Sequence, residues 1–122
     1  WRDHYVMRLA ETYLLRAEAY LGAGNKVLAV DDINTVRDRA EATPITDADV
    51  DINFILDERA RELSMEEFRT LTLMRLGLMY DRTRDFNPWA GTTIQPKNNL
   101  WPIPQSQIDL NTGEILEQNP GY

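Results

Sequence analysis

The sequence predicts an all-α protein made of antiparallel helix pairs, with a long irregular C-terminal tail packed back on the helices. Three observations predict it. Apolar residues recur at spacings of three and four through roughly the first 80 positions, the signature of amphipathic helices. Beyond that point prolines and Asn-Gly-type breakers crowd the chain, at Pro88, Gly91, Pro96, Pro102, Pro104, Gly113, Pro120 and Gly121. The same region nonetheless carries Trp89, Leu100, Trp101, Ile103, Ile108, Leu110, Ile115 and Leu116. That apolar load is too high for a disordered segment, so the tail is expected to wrap over the helices.

The first helix is expected from about Asp3 to Leu21, where Val6, Leu9, Ala10, Tyr13, Leu14, Ala17, Tyr20 and Leu21 form one stripe. Gly22 and Gly24 end it, and Asn25 is a suitable N-cap for the next helix. That second helix runs to about Ala40 through Leu28, Ala29, Ile33, Val36 and Ala40, with Asp31, Asp32, Arg37 and Asp38 mostly on its wet side. So short a link makes the two helices antiparallel neighbours. Their small residues, Ala17 and Ala29, allow close backbone approach. The placing of Tyr13, Ala17, Tyr20, Gly24, Ala29, Ile33 and Val36, with Pro44 after them, resembles a tetratricopeptide unit. A single unit of that kind cannot bury both faces, so neighbours are expected.

Pro44 to Asp49 reads as a linker, with Thr46 and Asp49 as an approximate capping box before a third helix that ends near Leu63. A fourth helical stretch, roughly Met65 to Met79, carries Phe68, Leu71, Thr72, Leu76 and Met79 on one side. The tail from about residue 81 to 122 is expected to hold one further helical turn, at Ser106 to Leu110. The opening Trp1-Arg2-Asp3-His4 has neither a basic nor an apolar leader region, and it reads as the interior of an element. The chain is therefore expected to be one helical piece, residues 1–122, of a longer protein.

Thirteen basic against twenty acidic residues leave a net charge of −7. Binding to nucleic acid or to anionic lipid heads needs the opposite balance. Without cysteine there is neither a disulfide framework nor a thiolate metal site. No apolar run is long enough to span a bilayer.

Chemistry-bearing groups are few. His4 is the single histidine, so no His-Glu-x-x-His zinc helix and no second ligand for it exist, and a Ser-His or Cys-His pair would have to use this terminal residue. Gly22 and Gly24 follow a helix, and no Gly-Lys-Ser/Thr makes a phosphate loop. Asp47, Asp49, Asp51 and Glu58 sit at calcium-loop spacing, yet Ile52 stands where glycine must turn the chain and Ile55 occupies the ninth position. Carboxylates at a helix N-terminus are the better account. In the third helix Asp57 to Arg61 and Glu58 to Arg61 are expected as acid-to-base pairs of a structural ion-pair network, since nearby arginines lower rather than raise the pKa of a catalytic carboxylate. Among the aromatics, Trp101 between Leu100 and Pro102-Ile103-Pro104 is expected in the core. Trp89, in a loop between Asn87-Pro88 and Ala90-Gly91, is the candidate for stacking on a sugar ring.

Three blocks, RLAETYLLRAEA (Arg8 to Ala19), INTVRDRA (Ile33 to Ala40) and ILDERAREL (Ile55 to Leu63), are followed by LWPIPQSQIDLN (Leu100 to Asn111) and a closing QNPGY (Gln118 to Tyr122). In that order they resemble the C-terminal region of the SusD/RagB family over nearly the whole chain. The resemblance implies an all-helical, tetratricopeptide-like scaffold in a surface lipoprotein of the bacterial outer membrane. Such a protein works with a SusC-like TonB-dependent transporter and captures oligosaccharides, or in some members peptides. It implies a binding component and not an enzyme, with no cofactor, and membrane contact only through a lipid anchor outside this sequence. Many members carry an acid-Gly-aromatic pattern followed by Arg-Trp. Here Glu66-Glu67-Phe68-Arg69-Thr70 keeps the acid, aromatic and arginine, and loses the glycine and tryptophan. The alternative reading is a tetratricopeptide-type module that binds a peptide or protein partner.

Overall fold

The computed structural model describes residues 6–122, so the expectations placed on Trp1, Asp3 and His4 lie outside the described residues. Among the described residues the regular structure is helical, with no strand, and the chain divides into two compact units, Trp1–Glu67 and Phe68–Tyr122.

The first unit holds α1 (Leu9–Gly22), α2 (Lys26–Arg39) and α3 (Ile52–Glu62). Helix α1 ends in a Schellman closure, with Asn25 N donating to Tyr20 O at 2.8 Å and Gly24 N to Leu21 O at 3.0 Å. The Asn25 side chain then accepts from Leu28 N, so one residue ends the first reversal and caps α2. The two helices run antiparallel: Arg8 before α1 and Arg39 at the end of α2 both reach Glu62. Leu14, Ala17, Ala29, Val30, Ile33, Val36, Val50, Ile55 and Leu63 form the core between the three helices, edged by Ala10, Tyr13, Tyr20, Leu21, Ile45 and Phe54. Ala17 and Ala29 are fully buried, as close approach of two helices requires.

Three expectations for this unit are corrected. Helix α1 starts at Leu9 and not near Asp3, because Arg8 is extended and its guanidinium is drawn away to Glu62 and Glu66. Val6 and Leu9 are exposed and do not join the stripe. The start of α3 is capped by Asp51, whose carboxylate accepts from Phe54 N at 2.7 Å. Thr46 and Asp49 close a separate turn ahead of it: Asp49 Oδ2 accepts from both Thr46 N and Thr46 Oγ1 at 2.8 Å. Finally, Asp32 does not sit on the wet side of α2. It is 4% exposed and takes a two-pronged bond from Arg16, at 2.6 and 2.7 Å.

The second unit holds α4 (Arg69–Arg75), α5 (Met79–Phe86), 3-10 turns at Ala90–Thr92 and Pro96–Asn99, and α6 (Gln105–Leu110). The single helix expected from Met65 to Met79 is thus replaced by a turn at 63–66 and two short helices. The break has a local cause. Gly77 adopts φ +69, so Leu78 N can reach back to Leu73 O and close α4. Phe68 and Leu71, expected on the apolar side, are exposed, and Leu73 is the buried member. Helix α5 also occupies the start of what reads as irregular tail. The later tail does fold back: both 3-10 turns pack on α5.

Candidate functional site

Helix α3 carries the charged residues toward the core. Ile55, Leu56, Arg59 and Leu63 share one face by helical spacing, so Arg59 is carried inward with them. It is 1% exposed, donating from Nε to Glu67 at 2.6 Å and from Nη2 to Glu11 at 3.1 Å. Glu67, in the Glu66-Glu67-Phe68 stretch where the resemblance expects glycine, therefore supplies the carboxylate that neutralises a buried guanidinium. One oxygen of buried Glu58 takes both Arg37 and Arg61, each at 2.7 Å, and Arg37 also donates to Thr43 O. Those two guanidiniums lie 5.7 Å from the centroid of the Phe54 ring. The expected Glu58–Arg61 pair is present, and through Arg37 it is part of an ion-pair network that joins α2 to α3. Hydrogen bonding to Glu66, then to Glu62, raises the Arg8 pKa above its ordinary value.

This network binds helix to helix. Of the calcium-spaced aspartates, Asp51 caps α3 and Asp49 closes its turn. Backbone and side-chain bonds from Thr46 hold the Asp49 carboxyl below its usual range. Among the described residues no three His, Cys, Asp or Glu side chains gather as metal ligands. An apolar concavity of about 530 Å³ lies along Met7, Leu9, Ala10, Tyr13 and Val36, with Arg8 and Arg39 on its rim. No described helix is long and apolar enough to cross a membrane.

The second unit is organised differently. Pro102 and Pro104 have no N–H, so Ile103 is the one backbone donor of that tripeptide. The Gln118 amide takes it: Oε1 accepts from Ile103 N at 2.7 Å, and Nε2 donates to Ile103 O at 2.8 Å. Asn119 Nδ2 donates to Trp101 O, the Tyr122 hydroxyl to Leu100 O, and Lys97 Nζ to Gly121 O. The closing QNPGY is thus stitched onto residues 97–103, and each of its polar side chains has a backbone to satisfy. Trp101, expected in the core, is 63% exposed, with its indole N–H directed at Met74 Sδ. The following prolines, Pro102 and Pro104, keep its segment extended on the surface, and tethering by Asn119 and Gln118 replaces burial.

Trp89 is 88% exposed. Its loop is tightly bonded: Asn87 Oδ1 accepts from Trp89 N at 3.0 Å and Ala90 N at 2.9 Å, while Asn87 O accepts from Gly91 N at 2.8 Å. Thr92 Oγ1 donates to Trp89 O at 3.0 Å. The indole is therefore displayed from a backbone with little freedom. The loop that carries Trp89 was legible in the sequence, whereas the capping by the Asn87 side chain and the stitching role of Gln118, Asn119 and Tyr122 were not. The lone N–H left between Pro102 and Pro104, that of Ile103, was the signal that a partner would be needed.

The model of the SusD family matches residues 2–122. The chain is 37% identical to the starch-binding protein SusD of Bacteroides thetaiotaomicron, over 98% of this chain and 22% of that protein. It is 34% identical to the SusD-like protein P25 of Formosa agariphila, over 98% of this chain and 25% of that one. The chain thus spans about a quarter or less of the length of these curated relatives. No solved structure matches it. The order of blocks, the helix pair and the Pro-Ile-Pro segment stitched by QNPGY meet in one conclusion: this chain belongs to the SusD family.

Proposed function

We propose that the protein is a glycan-capturing, non-catalytic component of an outer-membrane nutrient-uptake complex, with residues 1–122 serving mainly as the scaffold of its C-terminal region. The observation that carries this reading is the family match over 2–122, together with 37% identity to a protein named for starch binding. The structure supports it in kind. Glu58, Arg59 and Arg61 of α3 are engaged in ion pairs, while the indole of Trp89 is left open. Trp89 is the one ligand contact proposed within this chain, by stacking of its indole on the C–H face of a sugar ring. A SusC-like TonB-dependent transporter is the proposed partner, and a lipid anchor elsewhere in the protein the proposed means of surface attachment.

The test is a glycan array probed with the full-length protein, followed by calorimetry with the strongest oligosaccharide. Binding by the wild type is expected, with Trp89→Ala weakened about three- to tenfold, the range for loss of one aromatic contact. A protein that retains no oligosaccharide on the array is not a glycan binder. A Trp89→Ala variant of undiminished affinity removes Trp89 from the site.

A further inference from the structure

The geometry points to Gly91 as a positioning residue for Trp89, an inference that rests on the stacking reading above. Position 91 lies where the loop meets the C-terminal end of α5. A Cβ built on Gly91 would sit 2.7 Å from Arg84 O, 3.0 Å from Thr83 O and 3.1 Å from Arg84 Cα. All three are backbone atoms of α5, and none can swing aside as the end of a long side chain would. Thr83 O also accepts from Asn87 N at 3.0 Å, so shifting it would disturb the end of the helix. Glycine is required here for space.

The contact fixes the loop at the point that matters for the indole. Gly91 N donates to Asn87 O, and Asn87 Oδ1 holds Trp89 N and Ala90 N, so residues 87–91 form one closed hydrogen-bonded turn seated against α5. Any side chain at 91 lifts this turn off the helix, and Trp89 moves with it. A stacking contact depends on where the ring plane lies, so displacement weakens recognition even though the tryptophan is still present. A pre-placed indole also avoids the ordering cost a mobile loop would meet on binding.

The experiment uses the full-length protein labelled with 5-fluorotryptophan, its Trp89 resonance assigned from Trp89→Phe. Gly91→Ala is compared with Gly113→Ala, a control because a Cβ at Gly113 meets nothing within 4 Å. In the absence of any sugar, Gly91→Ala is expected to shift or broaden the Trp89 fluorine signal and leave that of Trp101 in place. Gly113→Ala should leave both unchanged. An unaltered Trp89 signal in Gly91→Ala overturns the inference. If Gly91→Ala does not fold, the same comparison is made with Asn87→Ala, which cuts the bonds to Trp89 N and Ala90 N without adding bulk, and the same unchanged signal overturns it. Titration with maltoheptaose separates this inference from the reading beneath it. Affinity weakened about three- to tenfold in Trp89→Ala and about threefold in Gly91→Ala supports both. Affinity weakened in Trp89→Ala but intact in Gly91→Ala overturns the positioning role alone. Affinity unaffected by Trp89→Ala removes the stacking reading, and the fluorine signal then decides the positioning.

Discussion

Of the buried apolar side chains among the described residues, all but Leu73 lie in Trp1–Glu67, whereas Phe68–Tyr122 ties itself together by hydrogen bonds from side-chain amides to backbone. The first unit has regular helices whose backbone groups are already paired, so its side chains are free to pack, and its buried charges are tolerated because each has a partner. The second unit has prolines that forbid long helices, so side chains must satisfy the backbone. The difference teaches that an irregular segment can be as determined as a helical one, through amides placed where the backbone has unmet donors and acceptors.

The largest effect is expected at the charged core of the first unit. Arg59→Ala leaves the Glu67 side chain, 4% exposed, without its guanidinium, and should cost about 3–5 kcal/mol in urea unfolding. The paired change Arg59→Met with Glu67→Leu should recover most of that loss. If Arg59→Ala costs less than about 1 kcal/mol, the buried pair does not hold this unit together. Next, Ala17→Leu adds three carbons where α1 and α2 touch, and should cost about 1–3 kcal/mol. Unchanged thermal stability would contradict close helix contact there.

A change of similar or smaller size tests the second unit. Gln118→Ala strips Ile103 of both its partners and should cost about 1–3 kcal/mol, read as faster amide exchange at Ile103. If Ile103 stays protected, the tail is held by burial after all and the contrast between the units disappears. The smallest effect belongs to the turn before α3. The folded pKa of Asp49 lies below its ordinary 3.8, so its contribution is full above that value and is lost as pH falls through the lower folded value. Thermal melts between about pH 5 and pH 2 should show the wild type losing stability more steeply than Asp49→Asn. Parallel curves would mean that the Thr46 bonds do not favour the carboxylate.

Much of this was legible from local pattern. The helix pair, the Asn25 cap, the buried Ala17 and Ala29, and the short helix near Ser106 to Leu110 follow from spacing and capping chemistry that act within a few residues. Arg59 was harder to read, because a run such as Asp57-Glu58-Arg59-Ala60-Arg61-Glu62 looks solvated until the apolar face of Ile55, Leu56 and Leu63 is drawn through it. Trp101 was misplaced for the opposite reason: apolar neighbours suggested a core, but the prolines hold that segment extended at the surface.

What the sequence by itself determined is the class of structure, the first helix reversal and the family, since periodicity, caps and ordered blocks are written in consecutive residues. Only the tertiary structure decided that Glu67 and Glu11 close on Arg59, that Gln118 reaches back to Ile103, and that Gly91 seats the Trp89 turn on α5. Each of these joins groups remote in the chain or depends on a clearance of a few ångströms, and no local propensity encodes such a distance.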